Sequence, residues 1–176
     1  MTDHAAITAK LFGMDDRTWE RHASPWSVWT RIASLPLLLL AIWSHAWLGI
    51  WALAAVAAAM LWLWLNPRLF PAPERTDTWS AKATFGERIA LNRKTVPVPA
   101  HHTRMAHALI AVSAVGFAAA LAGALSNDLL PTVAGGLVAW FAKMWFCDRM
   151  VWLYEDMKVR HPAYAAWERP AKEQVR

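Results

Sequence analysis

Cysteine is nearly missing from this chain of 176 residues: Cys147 stands alone. A single thiol excludes an internal disulfide framework, a Cys-x-x-Cys redox pair and a cysteine-based zinc site, and with them the four-helix membrane thiol oxidoreductases. Charge is missing too, but only locally. From Ile32 to Leu65 there is no Asp, Glu, Lys or Arg, and a charge-free run well beyond 18 residues is the signature of a membrane-embedded segment rather than a soluble core helix. As one helix it would reach roughly 50 Å at about 1.5 Å per residue, against roughly 30 Å of hydrocarbon in a bilayer. Backbone groups in lipid must be satisfied within their own segment, so the run is expected to fold as two helices with a short turn at Ser44-His45, its polar pair. The first thirty residues lack a basic stub leading to a small-residue cleavage site, so no removable signal peptide is expected.

What the chain does contain agrees with a membrane protein. It is 57% hydrophobic and carries 13 Trp, a composition that leaves little for a large extra-membrane domain. The net charge of +5 reports loops facing anionic lipid, and nucleic acid is not expected as a partner. Short helices are expected over residues 4–12 and, capped by Asp15, over residues 16–22. Ser24-Pro25 then starts the first span, with Trp26, Trp29 and Arg31 at one interface and Pro36 as a candidate kink. The second span opens with Trp47 and Trp51 and ends at Asn66-Pro67. Ala54 with Ala58, and Ala55 with Ala59, stand four apart, a spacing that lets another backbone approach closely.

Residues 66–104 leave the hydrocarbon. Within them a helix capped by Thr76 or Asp77 is expected, amphipathic and lying along the membrane surface, packed under the bundle. The third span, about 105–126, repeats the close-packing pattern in Gly116 with Ala120 and Ala119 with Gly123. Asn127-Asp128 makes a second short turn. The fourth span passes through Gly135-Gly136 and continues, increasingly charged, to about residue 157; Pro162 limits that extension, and the polar tail after it is expected to be loosely ordered. All 18 Lys and Arg lie in the N-terminal segment, at the entry to the first span (Arg31), in the long loop or in the fourth-span end and tail, and neither short turn carries any. Cytoplasmic loops carry the excess of Lys and Arg, so both termini and the loop are expected inside and both turns outside, in the periplasm of a bacterium.

The expected architecture is therefore an all-α integral membrane four-helix bundle with short periplasmic turns, a long cytoplasmic loop containing an amphipathic helix, and a cytoplasmic extension of the fourth helix. Its segments are a cytoplasmic N-terminal piece over 1–26, a transmembrane domain over 27–157 (spans 27–44, 46–65, 105–126 and 129–147, loop 66–104), and a cytoplasmic tail over 158–176.

Three stretches also carry a resemblance: residues 21–31 (Arg-His-Ala-Ser-Pro-Trp-Ser-Val-Trp-Thr-Arg), residues 85–94 (Phe-Gly-Glu-Arg-Ile-Ala-Leu-Asn-Arg-Lys) with the Val-Pro-Val-Pro-Ala-His-His that follows, and residues 147–157. They are similar to a family of small bacterial membrane proteins known only as a domain of unknown function. The resemblance covers most of the chain and implies four helices in a bacterial membrane. It implies no activity and transfers no catalytic residue.

The spans hold few ionisable groups, and His45, His107 and Lys143 lie near their ends, so a proton or ion path is poorly supported and transport ranks third among the readings. His45 and His107 fall on opposite sides of the membrane, which excludes them as a haem pair. The densest set of reactive side chains is at the cytoplasmic mouth: His22, His101, His102 and His107, with Cys147, Asp148, Arg149, Glu155 and Asp156. No His-x-x-x-His or His-Glu-x-x-His pattern accompanies them. The preferred reading is a structural polar cluster in which Asp148, Glu155 and Asp156 face Arg88, Arg93 and Arg104. The alternative is a metal site, with His102, His107 and Asp148 as first candidates. Trp140, near mid-membrane, is expected to face a helix neighbour or a bound apolar molecule. The expected helix-packing residues are Ala54, Ala58, Gly116, Ala120, Gly123 and Gly135. A non-enzymatic inner-membrane protein that binds lipid, a partner subunit or itself follows as the leading reading, with no cofactor expected. A small membrane enzyme or metal-binding protein at the cytoplasmic face is the alternative.

Overall fold

The computed structural model describes residues 16–170; the helix expected over 4–12 lies outside them. Every regular element among the described residues is helical. In chain order they are α1 (Asp16–His22), α2 (Pro25–Ile32), α3 (Ser34–Trp43), α4 (His45–Leu48), a 3-10 turn (Gly49–Trp51), α5 (Ala52–Leu69), α6 (Trp79–Leu91), α7 (Ala100–Ser126), α8 (Leu129–Arg160) and α9 (Pro162–Ala165). Three helical stretches are long and apolar enough to cross a membrane: Pro25–Leu69, Ala100–Ser126 and Leu129–Arg160. The chain divides into two compact units, one holding residues 16–28, Pro67–Arg104 and 147–170 of those described, the other Trp29–Asn66 and Met105–Phe146.

The second unit is built from two antiparallel hairpins. Trp62 donates its indole N–H to Ser34 Oγ at 3.2 Å and Asn66 Nδ2 donates to Thr30 Oγ1 at 2.7 Å. Both pairs are symmetric about residue 48, so the long apolar stretch folds back on itself there. The reversal is not made at Ser44-His45. Ser44 keeps helical angles and donates its hydroxyl to Ala41 O, and His45 Nδ1 lies 2.8 Å from Ile42 O. Ser44 Oγ and His45 Nδ1 are thus used within their own turn. The chain turns at Gly49, whose φ of +52° suits a residue without a Cβ.

The expected first span is also interrupted, at Ala33 between α2 and α3. Pro36 explains the break, since it has no N–H for the Ile32 carbonyl and its ring crowds that carbonyl. Trp140 supplies the missing donor, its Nε1 lying 3.2 Å from Ile32 O. The second span, by contrast, does not stop at Asn66-Pro67, because α5 runs on to Leu69.

The second hairpin turns at Asn127, which takes φ 56°, and Asp128, whose carboxylate accepts from Leu130 N at 3.1 Å to cap α8. Along α7 and α8 the backbones touch. A Cβ on Gly116 would lie 2.7 Å from Ala139 N, one on Gly123 2.6 Å from Thr132 N, and one on Gly135 2.6 Å from Ala120 N. Ala120 is fully buried in the same row. Ala54 and Ala58 differ from expectation, both being exposed within the chain. The face that α5 turns inward runs through Ala52, Ala55, Ala59, Trp62 and Asn66, one residue and so about 100° away.

The first unit centres on α6. Thr78, rather than Thr76 or Asp77, caps it, accepting from Ala81 N. The helix is packed on much of its circumference: Ser80, Ala81, Ala83, Thr84, Phe85, Gly86 and Ile89 are all buried. A Cβ on Gly86 would lie 1.9 Å from Met150 O, so α6 and the C-terminal part of α8 are in backbone contact. Ile89, Met150, Leu153, Tyr154 and Met157 fill the space around that crossing. Arg21 Nη1 donates to Arg68 O at 3.0 Å, satisfying a carbonyl at the end of α5.

The expected loose tail is instead tied down as far as residue 170. Thr76 N donates to Arg169 O at 2.8 Å, Thr76 Oγ1 donates to Trp167 O at 2.7 Å, and Arg169 N donates back to Thr76 Oγ1 at 2.7 Å. Tyr164 is buried, and the Trp167 ring sits 5.6 Å from Phe85 with the Arg88 guanidinium 4.7 Å from its centroid. Aromatic burial thus holds a segment whose polarity alone suggested disorder.

Candidate functional site

Two features of the molecule have the makings of a site, one in each unit. In the first unit, α7 begins at Ala100, directly after Pro99, earlier than the expected residue 105. His101 and His102 therefore sit in its first turn, their rings 4.1 Å apart. His102 is 2% exposed, and its Nε2 lies 2.7 Å from Asp156 Oδ2 on α8. His101 and Asp156 are exposed. One ligand-capable atom from each of these three residues lies within 4.8 Å of the others. The other ring nitrogen of His102, Nδ1, is buried with no hydrogen-bond partner.

The acids of the mouth do not meet the arginines expected for them. Asp148 accepts from Trp79 Nε1 at 3.2 Å. Glu155 pairs with Lys82 at 2.7 Å and Lys158 at 2.6 Å, and Glu168 pairs with the same two lysines at 3.3 and 2.8 Å. Arg88 pairs with Asp16, Arg93 donates to Ala90 O, and Arg104 is exposed. The structural cluster thus exists with lysines as its cations, while Asp156 belongs to His102. The earlier metal candidates also separate. His107 is exposed, and five residues after His102 it points well away around the helix; Asp148 is two turns from Asp156.

Lys82, Lys158, Glu168 and Trp79 were missed by the sequence reading, because residues so distant in the chain carry no pairing signal. The ammonium groups of Lys158 and Lys82 hold the Glu168 carboxyl below its ordinary value, the Lys158 hydrogen bond first, with burial opposing. The Glu155 carboxylate, then Glu168, raises Lys82 against the effect of its own burial.

In the second unit a groove of about 630 Å³ runs between α3 and α8, lined by Pro36, Leu39, Leu40, Trp43, Gly136 and Trp140 among others. Leu39 and Gly136 form its floor, a Cβ on Gly136 lying 3.0 Å from Leu39 Cδ1. That contact and the Trp140 bond to Ile32 set α3 and α8 antiparallel. The groove is apolar because the indole N–H of Trp140 is spent on the carbonyl and Thr132, the lining hydroxyl, donates to Asp128 O at 2.6 Å.

A family model described as "Family of unknown function (DUF6653)" matches residues 4–173. The chain belongs to that family. Nothing among curated proteins and nothing among solved structures matches it. Membership therefore brings no assigned activity, and the functional reading of this DUF6653 chain rests on its own geometry.

Proposed function

We propose that the protein is a non-enzymatic four-span inner-membrane protein that holds one acyl chain of a phospholipid in the groove between α3 and α8. The observation that carries this is the groove itself. Its lining spans Leu129 to Trp140 on α8, which at about 1.5 Å per residue is about 17 Å. One leaflet of hydrocarbon is half of roughly 30 Å, so the groove matches one lipid tail in length. Its volume lies within the roughly 300–1,000 Å³ of small-molecule sites, and its apolar walls suit hydrocarbon. Trp47 and Leu129 stand at the end nearest the two turns, where His45 Nε2 lies 3.3 Å from Asn127 Nδ2. Indole and amide groups at that depth suit a lipid headgroup of the periplasmic leaflet.

The four-span count is supported by the reversal at Gly49, which divides the longest apolar stretch in two. Charge supports the orientation. The unit of Trp29–Asn66 and Met105–Phe146 contains only Arg31, Lys143 and Asp128 as charged residues, so nearly all Lys and Arg fall in the unit assigned to the cytoplasm. Reporter fusions at residue 170 and Glu87 should read cytoplasmic and fusions at His45 and Asn127 periplasmic; a periplasmic reading at Glu87 would overturn the orientation.

The lipid assignment has its own test. Native mass spectrometry of detergent-purified protein should show one retained phospholipid, and Val133→Trp, which fills the groove from an exposed position, should lose it while remaining folded. Equal retention by Val133→Trp, or no retention by wild type, would refute the site.

A further inference from the structure

We propose that His101, His102 and Asp156 form a binding site for a divalent first-row transition-metal ion, of which zinc is the representative probe. Two imidazoles and one carboxylate are a donor set that borderline cations such as zinc favour, and three protein ligands leave the remaining positions to water. Bond lengths for such ligands are about 2.0–2.2 Å, so donor atoms around one ion lie no more than about 4.4 Å apart. The three residues bring theirs within 4.8 Å without an ion, so small rotations of exposed side chains close the site. His101 and Asp156 are the exposed members and give an ion access from solvent, while His102 is the fixed member.

The second observation concerns the buried ring alone. Asp156 takes one nitrogen of His102, and an imidazole with its hydrogen on Nε2 carries a bare lone pair on Nδ1. That nitrogen is buried without a donor beside it, whereas buried polar atoms nearly always have a partner. The ring is therefore held by a single hydrogen bond, and an ion bound through Nε2, with the Asp156 carboxylate and His101 as the other two ligands, replaces only that bond.

A His102–Asp156 hydrogen bond serving only to fasten α7 to α8 has no need of His101, and that difference decides the experiment. The full chain, purified in detergent without a polyhistidine tag and stripped with chelator, is titrated with zinc by calorimetry, and its cobalt form is followed by absorption in the visible range. Wild type should bind one equivalent, with a zinc-dependent rise in Tm and a cobalt spectrum containing nitrogen ligands. His101→Ala and Asp156→Asn should each weaken binding at least tenfold and abolish the rise in Tm, while His107→Ala and Asp148→Asn bind as wild type does. Both test residues are exposed, so the metal-free Tm reports whether a variant is folded. Less than a tenth of an equivalent on wild type, or wild-type affinity in either His101→Ala or Asp156→Asn, overturns the site.

Discussion

Trp140 donates its indole N–H across the second unit to the carbonyl of Ile32, the one carbonyl that Pro36 deprives of its helical donor. A proline in the third position of α3 and a tryptophan on α8 are therefore one device, the second completing what the first removes. Where water is excluded, a carbonyl without a donor costs free energy, and the indole offsets that cost while positioning the wall of the groove.

Trp140→Phe should therefore destabilise the bundle by about 1–3 kcal/mol, since it keeps an aromatic ring there and removes the donor. In a Pro36→Ala background, where residue 36 regains an N–H for Ile32, the same change should cost much less. Unfolding in mixed detergents, run as a double-mutant cycle, measures the coupling. Additive effects would mean that the two residues act independently.

Glycines should differ sharply in their tolerance of alanine. Gly86→Ala places a methyl 1.9 Å from the Met150 carbonyl oxygen, and backbone cannot step aside, so the loss should exceed the about 1–3 kcal/mol of ordinary overpacking. Gly116→Leu and Gly135→Leu should also lower thermal stability in detergent, because each faces the backbone of the other helix of the hairpin. Gly136→Ala should be nearly neutral, its nearest neighbour being the tip of Leu39. A Gly86→Ala protein melting like wild type would contradict the α6–α8 contact.

Stability should fall at both ends of the pH scale through the lysine–glutamate network. Glu168 has its pKa lowered in the fold, so its contribution is present above the unfolded value near about 4.3 and is lost as pH falls through the folded value. Lys82 has its pKa raised, so its contribution is present below about 10.4 and is lost as pH rises through the folded value. Each side chain is partly screened by solvent, which keeps each contribution to about 0.5–1 kcal/mol. Glu168→Gln should flatten the acid limb of a Tm-against-pH curve and leave the alkaline limb largely in place.

Thr76→Val removes the hydroxyl that joins Trp167 O and Arg169 N while keeping shape and the backbone bond to Arg169 O. Amide exchange over residues 161–170 should speed up by about five- to thirtyfold, the equivalent of about 1–2 kcal/mol of local opening. Exchange in α7 should stay as it is. Unchanged exchange in the tail would show that Tyr164 and Trp167 packing suffices to hold it.

Sequence by itself determined which stretches are helical and apolar, where Asn127 turns the chain, and that Gly116, Ala120, Gly123 and Gly135 meet at close range. Those outcomes depend on hydrophobic runs, on left-handed propensity and on four-residue spacing, all of which act within a few turns of one helix. Polarity at Ser44-His45 suggests a turn there, whereas backbone freedom at Gly49 decides the reversal. Tertiary structure alone decided that Asp156 faces His102 across 54 positions, that Lys82 and Lys158 replace the arginines, that the tail folds onto Thr76, and that Trp140 completes the break at Pro36. Each of those pairings depends on the rotational phase of two helices at once. One residue of phase is about 100° of direction, so side chains such as His102 and Asp156 find each other only once packing has set the angle between their helices.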